Sequence, residues 1–310
     1  MKTSCQLSVV SPVYQASGNV NELVNRLVVE LSQIVQTFEI ILVDDGSKDD
    51  SWVEIVSCCQ KHPQVKGVKL SRNFGQHYAV TAGLEFSQGE KIVIMDCDLQ
   101  DDPSVVHLLY SRAIEGNEIV FTKRKSRKQS FMKVISAVLY NFLFRFLSDR
   151  HYEANTGSMV LFSSRVKDHF LSLKDKDRLY IQLLKWIGFK QSYVTIEHQP
   201  RFAGRSSYNF FKLMQMAMQG WTSHSDKLLQ LSIYTGFCMS LSTLLASIYI
   251  IVLYFYRGFQ PGWPSLFIAI LFSTGLILIS IGIAGLYIGK TFEQAKNRPL
   301  YIVDSKINFD

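Results

Sequence analysis

The chain has 310 residues, a formal net charge of +7 and a mean hydropathy of +0.09, so it is basic and unusually apolar for a soluble protein. This length allows one large domain or two ordinary ones, and the positive charge favours an anionic partner such as phosphate, nucleic acid or lipid headgroups. The sequence lacks G-x-G-x-x-G after its first strand and lacks G-x-x-x-x-G-K-[ST], which disfavours a dinucleotide site and a P-loop.

The first half of the chain alternates between short apolar strands and amphipathic helices. Strands are predicted at residues 7–11, 39–43, 65–70, 91–95 and 118–121, and helices at residues 20–35, 51–60, 76–87 and 103–115. This order predicts an α/β fold in which a mostly parallel sheet carries helices on both faces.

The most informative motif follows the fourth predicted strand, where Asp96 and Asp98 end an apolar run. Residues i and i+2 of an extended chain point the same way, and parallel sheets bind ligands beyond the carboxyl ends of their strands. Two such carboxylates suit a hard divalent cation that is shared with phosphate oxygens. Taken alone, so short a motif is better explained as an acidic turn in which Asp102 and Pro103 start the next helix.

Further polar segments favour a shared site over separate turns. Asp44 and Asp45 end the second predicted strand, residues 71–76 form a polar turn after the third, and Arg201 and Arg205 flank a later glycine. Each segment alone is explained by a turn, a helix cap or solvated side chains. Polar turns at successive strand ends lie on one edge of one sheet, so together they predict a metal–diphosphate site.

Two long uncharged stretches lie towards the C-terminal end. Their apolar cores, residues 233–256 and 266–288, are each long enough to cross a bilayer. The short loop between them holds only Arg257, whereas basic residues flank the outer ends, so the positive-inside rule places both termini in the cytoplasm. We expect residues 1–226 to form a cytoplasmic domain, residues 227–289 a two-helix transmembrane hairpin and residues 290–310 a cytoplasmic tail.

Two other segments, residues 129–148 and 208–221, are rich in aromatic residues, leucine and methionine. In a soluble protein, such segments would be core helices. Beside two membrane spans, amphipathic helices that lie in the membrane interface explain them at least as well.

The motifs combine into a recognisable pattern, namely Ser11-Pro-Val-Tyr14, Val43-Asp-Asp-Gly-Ser47, Ser71-Arg-Asn-Phe-Gly-Gln76 and Asp96-Cys-Asp-Leu-Gln-Asp101. This pattern resembles the inverting family 2 glycosyltransferases with a GT-A fold, and most closely the polyprenyl-phosphate branch, which includes bactoprenol glucosyltransferases and dolichyl-phosphate mannose synthases. The resemblance covers nearly the full chain, including the tail Arg298-Pro-Leu-Tyr-Ile-Val303.

The resemblance implies transfer of one sugar, with inversion, from a nucleotide sugar to a polyprenyl phosphate such as undecaprenyl phosphate. We favour a UDP-sugar donor, a cytoplasmic active site and a multi-pass protein of the inner (plasma) membrane that makes lipid-linked sugar for cell-surface glycans. The acceptor phosphate is mostly ionised near pH 7, so the reaction needs in-line placement and leaving-group stabilisation more than a general base.

The resemblance also implies roles for individual residues. Asp96 and Asp98 would bind Mg²⁺ or Mn²⁺ on the diphosphate, and Gln100 would contact the sugar or the acceptor. The implied nucleotide-sugar contacts are Pro12, Val13, Tyr14, Asp44, Asp45, Arg72 and Asn73. The implied contacts to the acceptor phosphate are Arg201, Arg205 and Ser206.

The chain departs from the family pattern on the acceptor side. Ser158 and Val160 stand where many relatives carry an acidic residue and a cation, and Ser207 stands where they often carry lysine. These departures motivate an alternative hypothesis, a non-catalytic membrane scaffold derived from such an enzyme. Residues 182–186 weakly resemble the Q-x-x-R-W signature of processive polysaccharide synthases, a second alternative, although an amphipathic helix explains them more simply. We expect no nucleic acid partner, and the sequence leaves open whether the chain forms a homo-oligomer.

Overall fold

The computed structural model describes residues 5–124, 156–196, 227–257 and 262–309. These residues fall into two compact units. The first unit comprises the described parts of Met1–Lys128, Glu153–Ser206 and Arg298–Asp310, and the second comprises those of Gln129–Tyr152 and Ser207–Asn297. The two expected interfacial helices, and Arg201, Arg205 and Ser206, lie outside the described residues.

The first unit is built on an eight-stranded sheet. Its strands are β1 (Leu7–Val13), β2 (Phe38–Asp44), β3 (Val65–Leu70), β4 (Lys91–Ile94), β5 (Ile119–Arg124), β6 (Thr156–Ser163), β7 (Gln191–Ile196) and β8 (Val303–Ile307). The described helices of this unit are α1 (Ser17–Ile34), α2 (Ser51–Lys61), α3 (Gln76–Phe86), α4 (Val105–Ile114), α5 (Ser164–Ser172) and α6 (Tyr180–Ile187).

The strand order β7-β5-β6-β4-β1-β2-β3-β8 brings one set of strand ends together. Strands β1, β2, β3 and β4 are parallel, as are β5 and β7, whereas β6 runs antiparallel to β4 and β5. The carboxyl ends of β1 to β5 and the amino end of β6 therefore lie at the same edge, which we call the site edge. A mostly parallel α/β sheet is confirmed.

Strands β1, β2 and β4 are buried over most of their length because helices cover both sheet faces. Val9 of β1 pairs with Ile40 of β2 on one side and with Val93 of β4 on the other, and all three are fully buried. Helices α1, α2 and α4 contribute to the core on one face, and α3, α5 and α6 contribute to the core on the other.

Most elements of the first half match the predictions, and the later strands do not. The predicted strands and helices before residue 121 are all present, with ends that differ by a few residues. Strands β6, β7 and β8 were not predicted. Residues 182–186, the weak Q-x-x-R-W match, lie in α6, as the simpler explanation required, but Trp186, which that explanation placed in the core, is 54% exposed.

The C-terminal residues that were expected to form a separate tail enter the sheet. Strand β8 pairs antiparallel with β3, in a register that joins Gly67 to Ile307 and Leu70 to Val303. The first unit therefore contains both the beginning of the chain and its last described residues.

The described residues of the second unit form two long helices that contact each other, α7 (Lys227–Arg257) and α8 (Trp263–Ala295). Within the described part of the chain, one segment, Phe272–Ala295, is long and apolar enough to cross a membrane. It overlaps the predicted core at residues 266–288. The other predicted core, residues 233–256, lies within α7.

Gly83 of α3 offers a test of how closely this helix packs on the sheet. A Cβ atom at Gly83 would lie 2.3 Å from Cγ1 of Val10 and 3.0 Å from Cγ2 of Val43. We expect Gly83→Ala to destabilise the chain by about 1–3 kcal/mol, since overpacking displaces core side chains. The thermal unfolding midpoint in detergent should fall by about 2–4 °C for each kcal/mol. Gly18→Ala is the matched control, because a Cβ there meets nothing within 4 Å; equal midpoints for both variants would contradict close packing at Gly83.

Candidate active site

The loops that follow β1 and β2 are joined to each other at the site edge. The backbone N–H of Gln15 donates to Oγ of Ser47, and that of Ala16 donates to Oγ of Ser51, both at 3.0 Å. Gln15 has a φ of +49°, a left-handed conformation that is uncommon for a residue other than glycine. These bonds from the β2 loop hold the β1 loop in this conformation.

Asp45 joins the β2 loop to the β3 loop. Its Oδ1 accepts from the N–H of Phe74 at 2.7 Å, and its Oδ2 accepts from the N–H of Gly75 at 2.9 Å. Burial raises the pKa of this carboxyl, and the two backbone amides oppose that shift. Both oxygens accept bonds from the protein, so Asp45 holds Phe74 and Gly75 at the end of the β3 loop, and its expected contact with the nucleotide stays a prediction.

Asp44, its neighbour, has an unused acceptor. Asp44 is fully buried, and its Oδ1 accepts from the N–H of Ser47 at 3.1 Å. Its Oδ2 is buried and has no hydrogen-bond partner. A buried carboxylate oxygen without a partner is energetically unfavourable, so this atom is well suited to accept an N–H or O–H from a ligand.

The other residues that were expected to contact the nucleotide differ in how exposed their side chains are. The side chains of Pro12 and Val13 are buried in β1, whereas Tyr14 just beyond them is 44% exposed. Arg72 and Asn73 are exposed in the β3 loop, and the Arg72 guanidinium lies 4.1 Å from the centre of the Phe74 ring. The exposed side chains can reach a ligand at the site edge, and Pro12 and Val13 can contribute only backbone.

The two aspartates after β4 lie in a turn and not in the strand. β4 ends at Ile94, so the strand alternation from which we predicted convergence does not extend to Asp96 and Asp98. Oδ1 of Asp96 accepts from Nε2 of Gln76 at 2.6 Å, and Oδ1 of Asp98 accepts from the N–H of Gln100 at 3.2 Å.

Between and beyond these aspartates, the turn is anchored in the core. Burial raises the pKa of the Cys97 thiol to about 12, so this side chain is a neutral core residue at neutral pH. Leu99 is buried and has a φ of +57°. A left-handed leucine is strained by about 1–3 kcal/mol, and strain of this kind is common at binding sites.

The carboxylates of this turn suit a divalent metal whose remaining coordination positions are filled by a bound phosphate ligand and water. Within the described ranges, no group of three His, Cys, Asp or Glu residues could hold a metal ion by itself. Mg²⁺ typically takes one or two carboxylates and fills its remaining positions with phosphate oxygens and water. Asp96 and Asp98 supply such a pair of carboxylates, in the same turn.

Ser158, where relatives carry an acidic residue, is bonded to the β4 loop. Its Oγ donates to Oδ2 of the buried Asp101 at 3.2 Å, and its carbonyl accepts from the Tyr180 hydroxyl at 2.8 Å. The Asp101 carboxylate therefore lies within hydrogen-bond distance of this position. Sequence reasoning missed this pair and the role of Gln76, although both Gln76 and Asp101 stand inside the quoted motifs.

His77 follows Gln76 in the first turn of α3. Its Nδ1 atom is buried without a hydrogen-bond partner, and its ring lies 5.5 Å from that of Tyr180. Burial lowers the pKa of His77 to about 4, despite the opposing charge of Asp177. His77 is therefore a neutral side chain at physiological pH.

A comparison with known proteins identifies the class to which this fold and site edge belong. The chain is a glycosyltransferase with a GT-A-like α/β fold. Residues 8–170 match the model described as glycosyl transferase family 2, and the chain belongs to this family.

Relatives extend the match over almost the whole chain. An uncharacterized glycosyltransferase of Synechocystis is 36% identical over 96% of this chain and 94% of its own length. A prophage-derived bactoprenol glucosyl transferase of Shigella flexneri is 33% identical over 86% of each chain. The predicted resemblance to family 2 is confirmed.

A solved structure supports the fold. Glucosyl-3-phosphoglycerate synthase from Mycobacterium tuberculosis, crystallised with Mn²⁺, uridine-diphosphate-glucose and phosphoglyceric acid, has a TM-score of 0.52 at 16% identity. The match covers 71% of this chain and 78% of that one. At this identity, the similarity establishes a common fold.

The lowered pKa of His77 predicts a pH effect on stability. Between pH 6.5 and about 4, the unfolded chain takes up a proton on His77 and the folded chain does not. The contribution of His77 to stability therefore falls as the pH is lowered through this range. In His77→Phe, which cannot titrate, the thermal unfolding midpoint should rise relative to wild type as the pH falls from 7 to 4.5. A constant difference between the two midpoints across this range would contradict a neutral, buried His77.

Proposed function

We propose that this glycosyltransferase transfers a single sugar from a UDP-sugar to a polyprenyl phosphate, such as undecaprenyl phosphate, at the cytoplasmic face of the membrane. Binding of a nucleotide sugar is supported chiefly by Oδ2 of Asp44. This atom is a buried hydrogen-bond acceptor without a partner, and it lies among the polar loops of the site edge. The acceptor half is supported by the name of the Shigella relatives, bactoprenol glucosyl transferase.

On the donor side, Asp44 accepts an N–H from the nucleobase or an O–H from the ribose. A ligand donor at this oxygen removes the penalty of leaving it unpaired, so the bond contributes more to affinity than one on an exposed group. Asp45 acts indirectly, because it holds the loop that presents Arg72 and Asn73. Tyr14, with the backbone of Pro12 and Val13, borders the same nucleotide.

At the diphosphate, Asp96 and Asp98 hold Mg²⁺ or Mn²⁺. When bound, such an ion neutralises the negative charge that develops on the departing nucleoside diphosphate. Gln76 orients Asp96 through its hydrogen bond, and the backbone of Gln100 orients Asp98. The Gln100 side chain contacts the sugar or the incoming phosphate.

On the acceptor side, Arg201, Arg205 and Ser206 bind the lipid phosphate. The acceptor oxygen is already ionised near pH 7, so no carboxylate is needed at position 158 to remove a proton. We assign no general base, in agreement with the serine at that position.

The membrane topology that we propose has two crossings, by α7 and α8. Strands β7 and β8 belong to one sheet, so the chain between them must begin and end on the same side of a membrane. If Phe272–Ala295 crosses a bilayer, an odd number of further crossings is required. α7 has 31 residues and no charged residue between Lys227 and Arg257, which supports it as the second span. The protein is then a multi-pass protein of the inner membrane with both termini in the cytoplasm.

The direct test is transfer by the purified full chain. It is incubated in detergent with undecaprenyl phosphate, Mg²⁺ or Mn²⁺ and each of a panel of radiolabelled UDP-sugars. We expect one donor to yield an organic-soluble lipid that carries a single sugar. A long polymer would support a processive synthase instead. No product with any donor, while a bactoprenol glucosyl transferase works in the same assay, would support the scaffold hypothesis.

Asp98→Asn tests the metal-binding turn. We expect transfer to fall at least about 100-fold, because one acidic metal ligand is lost and charge stabilisation of the leaving group weakens with it. Chelation of the metal with EDTA should abolish wild-type transfer, and added Mn²⁺ should restore it. Asp102→Asn, which alters the carboxylate that accepts from the N–H of Ser104, is the control and should retain most activity.

Asp44 and Asp45 are distinguished by a pair of substitutions. In Asp44→Asn, we expect UDP affinity to fall about 10- to 100-fold, the effect of losing a hydrogen bond to a charged group, while the thermal midpoint without nucleotide does not fall. In Asp45→Asn, the midpoint should fall even without nucleotide, because an amide has one acceptor oxygen for two backbone N–H groups.

Calorimetry with UDP and Mn²⁺ measures the affinities, and thermal unfolding in detergent measures the midpoints. An Asp44→Asn variant that binds UDP as tightly as wild type would refute the proposed role of its free oxygen. Equal loss of stability in both variants would refute the division of roles between the two aspartates.

A further inference from the structure

The C-terminal residues 298–309, which we call the strap, contact the loop at the candidate nucleotide site. The backbone N–H of Ser71, the first residue after β3, donates to the carbonyl of Ile302 at 3.0 Å. Strand β8 begins at Val303, immediately after this contact, and pairs with β3. The strap therefore holds the start of the 71–75 loop, whereas Asp45 holds its end.

The strap is also bonded to α3, the helix that follows this loop. The Tyr301 hydroxyl donates to the Glu85 carboxylate in the last turn of α3. Burial and the Glu85 carboxylate both raise the pKa of Tyr301, so its hydroxyl remains a donor at neutral pH. Lys176 adds a bond at the other end of α3, since its carbonyl accepts from the Tyr78 hydroxyl at 2.8 Å and its Nζ donates to the carbonyl of Arg298.

The far end of the strap is anchored away from this loop. Nδ2 of Asn308 donates to the carbonyls of Cys59 and Val65, each at 2.8 Å. Val65 is the first residue of β3, and the 71–75 loop follows the last. Asn308 and Tyr301 thus lie at opposite ends of one strand pairing, and Tyr301 is next to Ile302 at the end that adjoins the loop.

We propose that Tyr301 and Ile302 are positioning residues for the nucleotide-sugar donor, acting through the 71–75 loop and α3. This inference rests on the proposed function, since it assumes that the loop contacts the nucleotide. The loop at the proposed donor site is then held in part by residues that follow α8 in the chain. Lys296 and Asn297 alone separate the end of α8 from the strap, so the donor loop is held by the residues that directly follow that helix.

The test compares Tyr301→Phe with Asn308→Ala in the full chain. Each variant removes strap hydrogen bonds. Tyr301→Phe removes the bond to Glu85 made by the residue next to Ile302, and Asn308→Ala removes the bonds at the far end of the strand pairing. For Tyr301→Phe, we expect the Kd for UDP with Mn²⁺ to rise about 3- to 10-fold, together with the KM for the sugar donor. The kcat at saturating donor and the KM for the lipid acceptor should stay within about twofold of wild type. For Asn308→Ala, thermal stability should fall while the Kd for UDP is unchanged.

Glu85 provides a check on the mechanism. Glu85→Gln keeps an acceptor for Tyr301 and should bind UDP almost as wild type does, whereas Glu85→Ala should reproduce Tyr301→Phe. The double variant Tyr301→Phe/Glu85→Ala should be no weaker in UDP binding than either single variant, because both remove the same bond.

Two outcomes would overturn the inference alone. In the first, Tyr301→Phe binds UDP as wild type does. In the second, Tyr301→Phe and Asn308→Ala weaken UDP binding equally, which is the signature of a merely structural strap. A wild-type chain that binds no UDP in the presence of Mn²⁺ would overturn the proposed function, and this inference with it.

Discussion

The carboxylate of Asp45 and the two backbone amides that it binds are the interaction on which the site edge depends. A buried acid is unfavourable unless its oxygens are satisfied, and the N–H groups of Phe74 and Gly75 satisfy both. The bond requires the β2 and β3 loops to touch. Gly46 permits that approach, since its φ is +64° and a Cβ there would lie 2.4 Å from the backbone carbon of Arg72.

From this contact, hydrogen bonds continue along the edge to the other loops. Ser47 of the β2 loop and Ser51 at the start of α2 hold the β1 loop, and Gln76 at the start of α3 holds Asp96 in the β4 loop. A parallel sheet makes this arrangement possible because its strands deliver their loops to the same edge. Each loop is short and polar, and each is fixed by its neighbour. The site is therefore organised before any ligand arrives, which favours tight binding of a flexible nucleotide sugar.

The sequence predicted the parts of this structure that depend on local pattern. Strands β1, β2 and β4 are largely apolar because they are buried, and the polar residues that follow β2, β3 and β4 marked the site edge. Strand β8 could not be predicted in the same way. Its five residues alternate between half-buried and exposed, and its partner β3 lies more than 200 residues earlier in the chain. The double role of Asp44 and Asp45 was equally hidden, because the amides that occupy Asp45 are backbone groups that every residue except proline carries.

Ser158 replaces an acidic residue that many relatives carry, and this difference was one reason for the scaffold hypothesis. The hydrogen bonds of Ser158 show instead that it is part of the network around the β4 loop. Asp101 is buried, so a second carboxylate at position 158 would face it, and the two like charges would repel each other. The Ser158 hydroxyl instead supplies a donor to that acid, and the Ser158 carbonyl accepts from Tyr180. Under the proposed function, the acceptor phosphate brings its own negative charge, and a neutral side chain at position 158 adds no repulsion to it.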